Sequence, residues 1–364
     1  MDVEKCIACG LCAQKCPKKV DDDYNEKLIK RKAIYVPYSQ AVPLKYAIDA
    51  ENCIYLQKGK CGACEKYCPS GAINFNDTKK TITLKVGSVI MAPGFKTFDP
   101  VGIENYSYAN LPDVVTSMEF ERILSATGPY AGHLMRPSSM RDKNPVGKAP
   151  QKIAWLQCVG SRDINRCDNG YCSSVCCMVA VKQTMMAKDH SNTPLDCAIF
   201  YMDMRTQGKD FDRYTETARK NGVRFIPARI HTIEPIPGTD DLRLSYVDDS
   251  SRRHEETFDM VVLSTGMEVR RDTIQLSNTL GVALDKYHFT RTDSFHPVAT
   301  SVPGIYACGV FTGPKDIPQS VMEASAAACA ATENLAAARN TRTNEIKIPT
   351  QRDVSREAPR IGVF

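Results

Sequence analysis

Long apolar runs are missing from this 364-residue chain: no 18 consecutive residues are apolar. The nearest candidate, Ala324 to Ala338, is interrupted by Ser325, Glu333 and Asn334, which excludes a transmembrane helix. The opening Met-Asp-Val-Glu-Lys has no apolar core, so no secretory signal is expected and a cytoplasmic location is. A dominant charge is also missing. With 47 basic and 42 acidic residues the net charge is only +5, too small and too mixed to imply a nucleic-acid partner. Histidine is scarce, six in all and scattered. No Ser/His/Asp constellation is apparent, and no catalytic side chain is nominated. The G-x-G-x-x-G fingerprint is absent, and with it the usual pyrophosphate loop of a dinucleotide site.

What is present supports a packed protein of two or three domains, with 43% hydrophobic and 24% charged residues. Cysteine is abundant, 16 residues. Secreted disulfide scaffolds are usually short, so a chain of this length without an export signal points to a reducing compartment and to thiolates that bind metal.

Two runs open the chain. The first is Cys6-x2-Cys9-x2-Cys12-x3-Cys16-Pro17; the second is Cys53-x7-Cys61-x2-Cys64-x3-Cys68-Pro69. The bacterial ferredoxin run is C-x2-C-x2-C-x3-C-P, in which the fourth cysteine ligates the other cluster. That rule assigns Cys6, Cys9, Cys12 and Cys68 to one [4Fe–4S] cube, and Cys53, Cys61, Cys64 and Cys16 to a second. The second run departs from the pattern in the seven residues between Cys53 and Cys61. Zinc also takes paired C-x2-C ligands, but two four-cysteine runs each closed by Cys-Pro favour iron–sulfur. Tyr35, Tyr38 and Tyr46 lie between the runs; they could shield a cluster, and ordinary packing is the preferred reading.

After residue 80 the pattern becomes α/β. Ile82 to Met91 reads as a strand ending in Ala92-Pro93-Gly94, and Phe258 to Ser264 as one ending in Thr265-Gly266. Such strand endings are typical of flavoproteins with two dinucleotide domains. A third element is Ile305-Tyr-Ala307-Cys308-Gly309, then Gly313-Pro-Lys315-Asp-Ile-Pro318 and an Ala-rich helix from about Gln319. In thioredoxin-reductase-like flavoproteins the matching helix points its positive end at the flavin. Gly94, Gly266 and Gly309 are therefore candidate flavin contacts. The acidic residue often found after the last strand is absent, since Val310 and Phe311 follow, so a complete FAD site is not expected from this chain alone.

Between these segments, Lys152 to Gln157 reads as a buried strand. Where a nicotinamide-binding fold would next show a glycine loop, this chain has Cys158-Val-Gly-Ser-Arg-Asp163, then Cys167, Cys172 and the adjacent Cys176 and Cys177 opening a helix over Val179 to Ala187. A strand over Leu195 to Met204, a further helix and the strand Val223 to Ile226 complete a Rossmann-like order. Cys158, Cys172, Cys176 and Cys177 could hold a third [4Fe–4S] cluster; the alternative is a redox-active or incidental dithiol at Cys176–Cys177. Cys167 is spare. Cys197, Cys308 and Cys329 are expected to be small buried hydrophobes.

The residues Gln157 to Asp163, Tyr171 to Cys177, Gly313 to Val321, Arg31 to Tyr35 and Gln40 to Pro43 resemble the A-type iron–sulfur subunit family of CoB–CoM heterodisulfide reductase, over about residues 1 to 340. The resemblance implies an oxidoreductase: a thioredoxin-reductase-like FAD domain of α/β class, incomplete here, with an α+β dicluster ferredoxin insert. It implies that Cys158, Cys172, Cys176 and Cys177 ligate a third cluster and that Lys315 and the helix near Gln319 lie by the flavin. It further implies electron bifurcation between ferredoxin and the heterodisulfide of coenzymes M and B, in an anaerobic, methanogenesis-type complex. The implied partners are the other reductase subunits, ferredoxin and a hydrogenase or formate dehydrogenase-type donor, in a dimeric complex of several different chains.

The expected division is 1–80 ferredoxin, 81–150 FAD-domain segment, 151–257 Rossmann-like segment with the extra cysteines, 258–339 FAD-domain C-terminal segment, and 340–364 linker and start of a further module. The family's FAD-pyrophosphate strand lies upstream of the insert, and Glu357 to Phe364 resembles the opening of the family's N-terminal module. The chain is therefore expected to be an interior part of a longer polypeptide. The alternatives are an NAD(P)H-linked flavin oxidoreductase, a non-catalytic iron–sulfur conduit and a zinc-binding structural protein.

Overall fold

The computed structural model describes residues 1–141, 147–341 and 343–360. Residues 1–80 form a small module built on loops. Its helices are single turns, α1 (Leu11–Lys15), α2 (Ile54–Lys58) and α3 (Ala63–Lys66). Its strands are two short antiparallel pairs, β1 (Lys19–Asp21) with β2 (Lys30–Lys32) and β3 (Ile34–Tyr35) with β4 (Ala47–Ile48). Only Cys12, Ile34 and Ile73 form its buried hydrophobic centre. The turn between β1 and β2 docks the module on the remainder: Arg122 Nη2 donates to Asn25 Oδ1 (3.0 Å), and the same guanidinium lies over the Tyr24 ring at 4.4 Å.

The strand expected over Ile82 to Met91 is shorter, β5 (Val89–Met91), followed by β6 (Lys96–Thr97). Ile82, Leu84 and Val86 are exposed and outside any strand. Next come β7 (Val114–Thr116), α4 (Ser117–Leu124), β8 (Lys152–Val159), α5 (Ile164–Cys167), α6 (Cys176–His190), β9 (Asp196–Phe200), α7 (Phe211–Lys220) and β10 (Val223–Ile226). An antiparallel sheet of β11 (Ile233–Pro235), β12 (Leu242–Val247) and β13 (Arg253–Phe258) precedes β14 (Met260–Thr265). The chain then runs through β15 (Met267–Glu268), α8 (Arg271–Leu280), β16 (Ile305–Ala307) and α9 (Ile317–Glu333).

The main sheet is parallel, in the order β10-β9-β8-β14-β7. Its strands are near-continuous apolar runs because both faces are covered: every residue of β8 after Lys152 and all six of β14 are buried. Trp155, the only tryptophan, is fully buried against Phe120 of α4, and its indole donates to Gln183 of α6 (3.1 Å). α6 buries Cys177, Ala180, Val181, Thr184 and Ala187, one stripe of a 3.6-residue period. α4 begins in a capping box of Thr116 and Glu119.

β7, from the expected 81–150 segment, and β14, from the 258–339 segment, pair into the Rossmann-like sheet, and α4 packs on it. What remains of a second dinucleotide fold is the parallel pair β16–β5, with α9 packed beside it. Residues 343–360 contain no helix or strand, and the expected start of a further module at Glu357 to Phe364 lies partly outside the described residues.

Candidate metal centres and flavin crevice

The two cysteine runs fold against each other in the module's small core. Cys16, Cys53, Cys61 and Cys64 line a single apolar cavity with Ile34, Ile48 and Phe75. The seven-residue loop before Cys61 is taken up by α2, which ends on Gly59 in the left-handed conformation (φ 62°). Burial pushes the Cys64 thiol up to about 11, and the neighbouring Cys53 and Cys16 add to the rise. In the first set, burial raises Cys12 to about 11, with Cys9 and Cys6 contributing. Cys68 packs in the core that holds Cys12. Burial alone would raise its thiol, but the Ala72 N–H (3.3 Å) and the Ser70 groups donate to the sulfur, and its pKa falls below the ordinary value. Of Tyr35, Tyr38 and Tyr46, the last lies beside the first set: burial raises its hydroxyl, and Cys12, Cys9 and Cys6 add to the rise. Tyr35 and Tyr38 are packing residues, against Arg31 and Tyr24.

The third set is assembled by the main sheet. The strand order reverses between β8 and β14, and open α/β sheets bind ligands outside the carboxyl ends of the strands at such a switch point. Cys158 sits there. Leu156 pairs with Leu263, yet Val159 pairs with Thr265, so β8 carries one extra residue. A bulge of this kind re-aims a side chain, and Cys158 takes the left-handed backbone (φ 62°) that only a few non-glycine residues adopt. Cys176 and Cys177 form the first turn of α6, where no side chain caps the helix. Burial raises the Cys176 thiol, and Cys158, Cys177 and Cys172 raise it further. The four thiols thus lie near enough to act on one another by charge. Cys172 accepts a hydrogen bond from the Ser174 N–H (3.4 Å), and Cys176 donates to Thr265 O (3.6 Å). Cys167 stands apart, in a polar cleft with Lys96, Glu268 and Lys286.

Among the described residues no three His, Cys, Asp or Glu side chains close tightly on a single ion. Thiolates that enclose a cube of irons and sulfides are spread by the cube itself. The donor sets, all sulfur and four at a time, fit [4Fe–4S] cubes.

Opposite the third set, an apolar crevice of about 730 Å³ runs between α6, α7 and the start of α9, walled by Phe95, Val175, Met178, Phe211, Lys315 and Ile317. It is of small-ligand size. A side cleft joins Cys172 and Arg205 to Asp316 and Gln319. Asp316 caps α9 by accepting from the Gln319 N–H (2.8 Å), and Pro318 lies in the first turn. Gly94 and Gly309 are left-handed (φ 73° and 70°), with open space where a Cβ would stand. Lys315 is buried against Glu323 and Thr312, while Glu323 also accepts from the Gly309 N–H (3.0 Å). Glu323 and Thr312 were not among the sequence candidates; the eight-residue separation from Lys315 becomes a contact only once α9 forms.

Gly266 packs closely against the chain: a Cβ there would meet Ser173 Oγ at 2.8 Å and Gly160 O at 2.9 Å. It is needed so that β14 can close on the cysteine loop. Cys197 and Cys308 are buried as expected, but Cys329 is exposed, because it lies on an uncovered face of α9.

The 4Fe-4S binding domain family matches residues 1–20. At 40% identity over 91% of this chain, the chain resembles the A-type iron-sulfur subunit of CoB–CoM heterodisulfide reductase from Methanocaldococcus jannaschii, covering 49% of that protein. It is 39% identical to the corresponding A-type subunit of the H(2)/formate:CoB-CoM heterodisulfide,ferredoxin reductase from Methanococcus maripaludis, over 91% of this chain and 49% of that protein. The chain therefore spans about half the length of the curated relatives it matches. Among solved structures, thioredoxin reductase from Lactococcus lactis aligns with 84% of this chain and 86% of its own, at 14% identity and a TM-score of 0.43. The pyridine nucleotide-disulphide oxidoreductase family matches residues 45–328, across β4 to α9, and to that family of oxidoreductases the chain belongs.

Proposed function

We propose that this chain is the iron–sulfur flavoprotein part of a heterodisulfide reductase-type complex, carrying three [4Fe–4S] cubes and passing electrons between a flavin, ferredoxin and subunits that reduce a heterodisulfide such as CoM-S-S-CoB. The observation that carries the reading is the meeting of Cys158, Cys172, Cys176 and Cys177 at the sheet's switch point, next to an apolar crevice closed by the start of α9. A pyridine-nucleotide loop would need that same place, which disfavours direct NAD(P)H reduction. When bound, a flavin supplies two-electron chemistry that can be divided into single electrons for the cubes. The chain's residues supply the setting. The start of α9 brings the positive end of its dipole to the crevice wall. Lys315, held by Glu323 and Thr312, places a cation at its wall, and Phe95, Phe211 and Ile317 give it apolar lining. Bifurcation, and partners such as a hydrogenase or formate dehydrogenase suggested by the name of the Methanococcus relative, belong to this proposal.

Anaerobic preparation with iron, sulfide and flavin quantitation tests it. About twelve irons per chain are expected from three cubes, falling to about eight in Cys158→Ser with residues 1–80 still loaded. Eight irons in the parent chain, or zinc without acid-labile sulfide, would overturn the third site.

A further inference from the structure

Three charged residues surround the third cysteine set without ligating it. Asp203 follows β9, at the carboxyl end of the sheet. One of its oxygens pairs with Arg162 Nη1, and the other accepts from Arg205 Nε (2.8 Å). Arg162 belongs to the loop that replaces the glycine loop, and its backbone is left-handed (φ 55°). It stands four residues after Cys158, on which its positive charge bears. Arg205 stands beside Cys172 in the side cleft that leads to Asp316 and Gln319. The Cys177 thiol lies 4.0 Å from Asp203 O. Three of the four sulfurs therefore border one Arg–Asp–Arg clamp.

We propose that Arg162 and Arg205, clamped by Asp203, raise the reduction potential of the cube held by Cys158, Cys172, Cys176 and Cys177, so that it takes electrons from the crevice. This rests on the third cube of the proposed function. One electron enters from a reduced flavin, or from dithionite in vitro. No proton moves and no bond forms or breaks, so reduction adds one negative charge inside the thiolate cage. Burial opposes that charge, and two fixed guanidinium groups favour it. Hydrogen bonds to the sulfurs and the local charge are the levers that set such potentials. The single carboxylate orients both arginines and partly offsets them.

The test is an EPR-monitored redox titration of the full 364-residue chain, reconstituted anaerobically with iron and sulfide. In Arg162→Gln and Arg205→Gln, the ratio of reduced to oxidised third cube at fixed ambient potential should fall at least tenfold, which is ~59 mV for one electron. The signals of the two cubes in residues 1–80 should stay in place. Arg205→Lys, which keeps the charge, should change the ratio less than threefold. Asp203→Asn should shift it the opposite way, a sign that general loosening of the site would not produce. If a glutamine variant fails to assemble the cube, Asp203→Asn and Arg205→Lys decide alone. A third-cube midpoint unmoved by charge removal, or lowered by Asp203→Asn, overturns the proposal while the cube stands. A parent chain with no third-cube signal overturns both.

Discussion

Arg136 is only 1% exposed, and three carboxylates converge on it: Asp113, Asp241 at 2.7 Å and Asp259 at 3.2 Å. Its Nε donates to Asp113 Oδ2 (2.8 Å); Nη2 is equally near that oxygen but off the hydrogen-bond direction. Asp113 is fully buried and also accepts from the Ser138 N–H and hydroxyl. Removing the guanidinium would leave that carboxylate buried beside two others. Arg136→Met is expected to cost about 3–5 kcal/mol, read from the denaturant midpoint of Trp155 fluorescence. A loss below about 1 kcal/mol would mean that water replaces the arginine. At this scale the cysteine runs were legible, because their pattern lies in the spacing within a few residues. Glu323 and Thr312 were not, since they meet Lys315 only in the folded chain.

Among the elements, the amino ends of β8, β9 and β10 are tied together at the edge opposite the cysteines. Glu256 of β13 receives Lys152 (2.8 Å) and Arg224 (3.0 Å), and Arg224 also holds Asp196 (2.9 Å). Burial would raise the Glu256 carboxyl, but Arg224, Lys152 and Tyr246 outweigh it and hold it down to about 2, against an ordinary 4.5. A folded value below the unfolded one stabilises at pH above the unfolded pKa, and the stabilisation is lost as pH falls from about 4.5 to about 2. Glu256→Gln should therefore unfold about 2 kcal/mol more easily at pH 7, and the gap to the parent should close across that window. Parallel denaturation series would show it, and a gap constant down to about pH 3 would refute the assignment. The cap of α9 is a separate device: Asp316→Ala should cost about 1 kcal/mol, measured as a lower melting midpoint. Helix and strand identities followed from apolar period and breaker residues. Their ends, and the shortened β5, depended on which partners were present: Ile82, Leu84 and Val86 find no neighbouring strand and stay exposed.

On the scale of the whole molecule, the two halves of the described chain differ in what holds them. The sheet of β7 to β14 has a large double-faced core around Trp155. Residues 1–80 have one small cluster with three buried members and eight free thiols; a module this poor in core is expected to depend on bound metal for its stability. Anaerobic iron chelation should make residues 1–80 sensitive to limited proteolysis while Trp155 emission stays that of a buried indole. Loss of the tryptophan signal in step with the iron would show instead one cooperative unit.

The sequence by itself determined the chemistry of this protein: sulfur donors in two ferredoxin runs, cysteines in place of a glycine loop, and strand endings suited to a flavin. Those features are encoded within short stretches, where covalent spacing limits the geometry. Tertiary structure alone decided which distant residues meet. The register of β8 on β14 inserts one extra residue and turns Cys158 toward Cys176. The sheet order takes β7 and β14 into the Rossmann-like domain, and closure of β14 on the cysteine loop occupies Gly266. Such outcomes come from strand pairing and packing between segments far apart in the chain, and no local pattern carries them.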